Sequence, residues 1–493
     1  MSVDQNGKPA GKPIERRDFI KNAALGMSAM AIGMVALGCS SSSSSTALGT
    51  TQPSNKPFTF AVVTDIHILD GILLGDSGSY YTNYIESDPK MLDMSPQTVD
   101  VAFAAIMQHT PTPSFVLIPG DLTKDGEYVD HLVVAGKLSV LASAGIPVYV
   151  VPGNHDINNP AAVSYLDPAT TSLGAPVPNI SPAQFKSIYG PYGYNNALYQ
   201  DPNSLSYIAE PVAGLWLFAI DSCEYQSNPA LGTGEPVTNG KISASTLAWL
   251  QTYLAAAKSL GKVVIGMEHH LLMEHFVGQE SFFQAYILDN YTTVTPALAA
   301  AGLGLVFTGH FHANSVAYNG NSQAPLWDVS TGSTVITPCP FRFVTANLAA
   351  KTFNITTSTV KSIPEYPNPT TVGSTMGWSE YEYGFLMTNM PFVATGMLTQ
   401  LGVPSALLTG LQLPFAFSVS MGAFYAGNPT ITDTTNPNYT DYYAPTNTII
   451  QEMLAFSGGT TQQNALVQQL GAAINQIWKP NRTIDDNNLT ITL

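Results

Sequence analysis

Five short apolar runs in this chain each end in residues that ligate metal ions. Phe60–Thr64 leads into Asp65-Ile66-His67, and Phe115–Pro119 into Gly120-Asp121. Val148–Pro152 leads into Gly153-Asn154-His155-Asp156. Lys262–Glu268 leads into His269-His270, and Leu303–Thr308 into Gly309-His310-Phe311-His312. Alone, Asp-x-His or Gly-Asp also describes a capped turn. The recurrence after five apolar runs is what selects metal chemistry, since it draws in five of the nine histidines without counting His270. Imidazole nitrogen and carboxylate oxygen suit zinc, iron, manganese or cobalt. Adding one amide oxygen, from Asn154, suits a pair of ions roughly 3.5–4 Å apart, with Asp121 bridging them.

Strands must deliver these groups. In open α/β sheets, sites form at the carboxyl ends of strands, and the segments between the runs read as helices. Ser95-Pro96 is a helix start that places Val99, Ala102, Phe103 and Ile106 on one face. A second helix is predicted over 130–143, a third over 243–260 with Leu247, Leu250 and Leu254 as its stripe and Gly261 as its stop, and a fourth near 294–301. Residues 206–209 and 215–220 read as a hairpin ending at Asp221. Short strands at 316–318, 326–329, 341–347 and 352–357 read as a meander. The expected fold is α/β, with two mixed sheets between helices. The stretches 68–95, 156–184 and 189–199 are expected to form loops over the site.

The flanks differ from this middle. Arg16-Arg17-Asp18-Phe19-Ile20-Lys21, an apolar run over 23–38 and Ala36-Leu37-Gly38-Cys39 read as an export signal resembling the twin-arginine type, closed by a sequence like a lipobox. Cys39 is then the lipid attachment site of an exported protein, periplasmic or at the cell surface, anchored to a membrane through its N-terminus. Domains are expected as 1–38 signal, 39–56 serine-rich tether, 57–360 catalytic domain and 361–493 helical C-terminal extension. That extension has prolines at 364, 367 and 369, helices at 380–410, 446–456 and 461–478, a loop at 422–445, and neither histidine nor cysteine. Its apolar stretch over 390–417 is interrupted by Pro404 and Pro414 and is too broken to span a bilayer. With charged residues at 11% and hydrophobic ones at 45%, the chain is globular rather than disordered. A net charge of −16 disfavours nucleic-acid polymers but not a small phosphate ester held by cations. Cys223 and Cys339 are read either as a pair or as two free thiols.

The series Asp65-x-His67, Gly120-Asp121, Gly153-Asn154-His155-Asp156, His269, Gly309-His310-x-His312 resembles the calcineurin-like metallophosphoesterase superfamily over about 58–357. The resemblance implies a four-layer αββα sandwich and a binuclear centre. Asp65, His67 and His312 would hold one ion, and Asn154, His269 and His310 the other. Asp121 would bridge, and His155 would face the substrate without ligating. His269 is followed by His270-Leu271 where the family often has His-Pro; His269 is assigned as ligand and His270 is the fallback. Lys124 stands where purple acid phosphatases carry a ligating tyrosine, and His67 has no counterpart there, so the likeness is to bacterial phosphodiesterases.

Two cations acidify a shared water, and the bridging hydroxide attacks phosphorus in line. His155 serves the leaving oxygen, with Asp156 expected to orient it. The predicted activity is hydrolysis of phosphoric esters, diesters ahead of monoesters, because the loops offer only Lys124, Lys186 and Lys241 to hold a dianion. The rival of another class is a catalytically silent surface lipoprotein that binds ligands. Asp221, His109, His131 and His275 are not assigned to the centre.

Overall fold

The computed structural model describes residues 56–71, 73, 88–165, 175–364, 377–427, 444–478 and 484–493. All fall within one of the chain's two compact units, Thr50–Leu493. The leader, Cys39 and nearly all of the tether lie outside the described residues.

Strand β8 (Leu215–Ile220) shows why the central runs are apolar at every position. Leu215, Leu217 and Ala219 face the space between two sheets, while Trp216, Phe218 and Ile220 pack with Leu250, Leu254 and Leu298 of helices Ala244–Ser259 and Tyr291–Ala301. A strand covered on both faces has no polar side to alternate. The first sheet has the order β15-β14-β13-β1-β2-β3, built from β1 (Phe58–Val62), β2 (Val116–Pro119), β3 (Val148–Val151), β13 (Pro340–Asn347), β14 (Thr352–Thr359) and β15 (Asn488–Thr492). The second has the order β11-β12-β10-β9-β8-β7-β6. Its strands are β6 (Tyr199–Gln200), β7 (Tyr207–Val212), β8 (Leu215–Ile220), β9 (Val263–Glu268), β10 (Leu305–Thr308), β11 (Ser315–Tyr318) and β12 (Trp327–Ser330). A two-residue pair, β4 (Val163–Ser164) with β5 (Ala175–Pro176), lies apart.

The five site-bearing strands run parallel in two groups, β1-β2-β3 and β9-β10. The sheets stack face to face, β2 on β9 and β3 on β8, with Phe60 and Phe307 meeting edge-on at 5.5 Å. Both parallel groups therefore end on the same side of the sandwich. Helices Ser95–Gln108 and Tyr128–Ser143 contribute Val99, Phe103, Val134 and Leu138 to the same core.

Two expectations about 361–493 change. Helix Leu413–Tyr425 continues through Gly422, where a loop was expected, because nearly all of its residues are buried and packing outweighs glycine's poor propensity. The extension, expected to be helical, also contains a strand after its last helix: β15 pairs antiparallel with β14, returning to the first sheet. Buried Arg342 fastens that return by donating to the Asp486 and Ser330 carbonyls, each at 2.7 Å. Within 156–184, helix Pro182–Ile188 already begins, capped reciprocally by Ser181 and Gln184. Cys223 and Cys339 are both free and buried. No described helix is long and apolar enough to cross a membrane.

Candidate metal centre

Three of the five strand ends, those of β1, β2 and β10, turn sharply to present their side chains. Asp65, His67, Asp121, His310 and His312 all have positive φ, between 39° and 66°, a conformation that costs non-glycine residues energy and gathers at functional sites. Glycines make the approach possible. A β-carbon on Gly153 would collide with the Asp121 carboxylate and backbone N, and one on Gly309 with Thr64 Oγ1 and Asp65 Oδ2.

The turns bring two groups together. Ligand atoms of Asp65, His67, Asp121 and His312 lie within 4.8 Å of one another, as do those of Asp121, His269 and His310. Asp121 belongs to both. Its Oδ2 lies 3.5 Å from His67 Nε2 and 3.4 Å from His269 Nε2. Burial opposes the Asp121 charge, but the surrounding His269, His155 and His67 hold its pKa well below the usual carboxylate range.

The donor chemistry fits cations. His269 Nδ1 donates to the Pro119 carbonyl at 2.9 Å, so a neutral ring turns the lone pair of Nε2 toward Asn154 Oδ1 at 3.0 Å and Asp121. Lone pairs so placed repel unless a positive charge lies among them. Burial works against a proton there, yet Asp121 draws His269 up to about 9; a metal ion would take that proton's place. His67 Nε2 and His312 Nε2 face each other at 3.0 Å, while buried His67 Nδ1 and Asn154 Nδ2 have no hydrogen-bond partner. His310 Nε2 donates to the Ala285 carbonyl at 3.0 Å, leaving Nδ1 for a cation. All seven metal-site residues read from sequence thus lie together. His270 does not join them: Ser222 Oγ and the Thr238 carbonyl take its two nitrogens at 2.8 and 2.9 Å.

His155 lies at the edge of the cluster, its side chain 20% exposed, with Nε2 4.0 Å from Asp121 Oδ2. Its orienting partner differs from the expectation. Nδ1 donates to Asp125 Oδ1 at 2.8 Å, not to Asp156. The Asp156 carboxylate instead accepts from the backbone N–H of Leu122, Thr123 and Gly153 and from Thr123 Oγ1. It ties the loop bearing Asp121 to the loop bearing Asn154, and is turned away from His155 by that task. Burial favours the neutral acid of Asp125, but Lys124 and His155 pull it down to about 2. Lys124, expected in a loop, is buried and paired with Asp125 and Glu127. The cation that sequence reasoning missed is Lys90, 3.6 Å from Asp88, whose charge is felt by His67 and His155. Its signal was its place in the 68–95 stretch expected to line the pocket. Asp221 accepts from Leu205 N, Cys223 N and the Tyr225 hydroxyl and is structural.

His131 braces the Asn154 loop from behind. Its Nε2 donates to the Asp156 carbonyl and Nδ1 accepts from the Tyr189 hydroxyl. Burial, partly offset by the bond to Asp156, lowers its pKa to about 3. Below the ordinary value of about 6.5 the unfolded chain takes a proton that the folded chain refuses. Stability from this group is full above that pH and declines toward pH 3, by about 2 kcal/mol at pH 5. His131→Gln should therefore lose less stability than the parent between pH 7.5 and 5. Equal losses in denaturant titrations at the two pH values would refute this.

The sequence model described as calcineurin-like phosphoesterase matches residues 58–314, more than half of the chain. Among solved structures, a dimetal phosphatase from Danio rerio aligns with 14% identity and a TM-score of 0.42, covering 61% of this chain and 96% of that one. The Thermus thermophilus sulfate thiohydrolase SoxB, in complex with glycerol, aligns with 12% identity and a TM-score of 0.33, covering 69% and 61%. Comparison with curated proteins gives no match.

Proposed function

Since the chain belongs to the calcineurin-like phosphoesterase family, we propose that it is a binuclear metal-dependent hydrolase of phosphoric esters, with diesters as its substrates. The observation that carries the hydrolase reading is Asp121 Oδ2 set between His67 Nε2 and His269 Nε2. Asp65, His67 and His312 would hold one ion, Asn154, His269 and His310 the other, with Asp121 shared. Two such ions supply charge against the phosphoryl oxygens and a water acidified enough to attack phosphorus near neutral pH. In the hydrolysis, the water oxygen bonds to phosphorus, the bond from phosphorus to the alcohol oxygen breaks, and a proton ends on the alcohol. His155 is placed to give that proton, with Asp125 fixing its ring.

The diester preference is supported by where the cations are. Lys124 spends its charge on Asp125 and Glu127, and Lys90 shares its own with Asp88. That leaves little extra positive charge for a terminal dianion. The Arg16-Arg17 leader and Cys39 support an exported, lipid-anchored enzyme as part of the same proposal. The manganese-loaded protein should hydrolyse bis(p-nitrophenyl) phosphate faster than p-nitrophenyl phosphate, and a chelator should abolish both. Monoester turnover alone would make it a phosphatase.

A further inference from the structure

Resting on that reading, we propose that a cavity beside the metal centre binds an apolar alkyl group of the ester, so that the substrate is an alkyl phosphoric ester of amphiphilic character. The cavity has a volume of about 180 Å³. One wall is His312, a member of the metal cluster, with Lys90 and Tyr286 beside it. A group in the cavity thus adjoins an ester at the centre.

The opposite wall belongs to the C-terminal helices. Met390, Val393 and Met397 lie at helical spacing on one face of Trp378–Gln400, and Phe417 and Met421 come from Leu413–Tyr425. This wall has no charged side chain. Its three methionines are unbranched and adjust to a flexible chain better than branched residues do. The size sets the occupant: an engineered apolar cavity of about 150 Å³ takes benzene, so this one takes a chain of about six carbons. At the rim the same helix carries apolar surface in solvent: Val393, itself part of the lining, is 37% exposed, and the adjacent Phe392 67%. A longer chain would run out along that surface. The polar end is matched to phosphate by the metal cluster, which His312 joins to the cavity; Lys90 and Asp88 stand at the same wall as a charge-compensated pair. The helical extension, which holds no catalytic chemistry of its own, thereby acquires a role in selecting substrate.

The test is calorimetric titration of the full-length, manganese-loaded protein with methyl-, butyl-, hexyl- and octylphosphonate, each as its singly charged monomethyl ester so that it matches a diester. Kd should tighten about 4-fold per methylene up to about six carbons and then level off. Val393→Lys, at a half-exposed position, should flatten the series, and Met421→Gln should do so from the other helix. A parent Kd that does not change from methyl to hexyl, or no binding of any phosphonate, overturns the proposal. So does hexanol binding as tightly as hexylphosphonate, since the cavity would then act apart from the centre. Turnover of bis(p-nitrophenyl) phosphate by the same preparation separates the two readings. Turnover with a flat series removes the cavity assignment and leaves the hydrolase. A steep series without turnover keeps the cavity and removes the hydrolase.

Discussion

Asp121→Asn should strip the centre of metal and reduce turnover below about a thousandth of the parent's. The substitution keeps the shape and still leaves an oxygen to accept the His155 backbone N–H, which Asp121 Oδ1 takes at 3.0 Å. What it removes is the negative charge between His67 and His269. Two cations drawn together without that charge repel across a buried site, where screening is weak. Removing even one preorganised electrostatic group costs about 10²–10³ in rate, and here the group serves both ions. Elemental analysis should fall from two ions per chain to fewer than one, while the melting profile shows a folded protein. Two ions retained, or full turnover, would refute the assignment of Asp121.

His155→Ala should do the opposite: keep both ions and lower kcat by about 10²–10⁴. The residue's backbone N–H, which alanine retains, donates to Asp121 Oδ1, while its ring, 4.0 Å from Asp121 Oδ2 and held by Asp125, belongs to neither ligand group. Loss of metal in this variant would mean that His155 is a ligand. The partner of His155 is tested beside it. Burial disfavours a charged His155, but Asp121 and the bond to Asp125 outweigh it and raise its pKa. Asp125→Asn removes one of these carboxylates, so the alkaline limb of kcat should move to lower pH, with a loss of about 10–100-fold. Asp156→Asn should lower stability, because three backbone N–H groups bond its carboxylate, and leave that limb in place. An unmoved limb in Asp125→Asn would return Asp156 to consideration.

How legible this protein was in its sequence varies with the range of the interaction. The ligating set was open to reading because each member lies within a few residues of an apolar run, and strand direction carries it to a common edge. Asp65, His67, His310 and His312 needed only the knowledge that β1 and β10 end on the same side. The choice between His269 and His270 leaned on a resemblance; the structure adds a physical reason, in that Ser222 and Thr238 already occupy His270.

What depended on folding was every pairing set by long-range contact. Asp156 follows His155 directly, which made it the local choice as partner, yet the chain between 121 and 125 folds back and puts Asp125 there. The β15 strand is short and polar at alternate positions, and it becomes a strand only because β14 offers it an edge. Lys90, and the methionines facing it across the cavity, are some 300 residues apart in the chain. By itself the sequence determined the ligand chemistry, because residue type and strand periodicity are local properties. The orientation of His155 and the apolar wall beside the centre were decided by tertiary structure alone, because hydrogen bonds and packing depend on where distant segments come to rest.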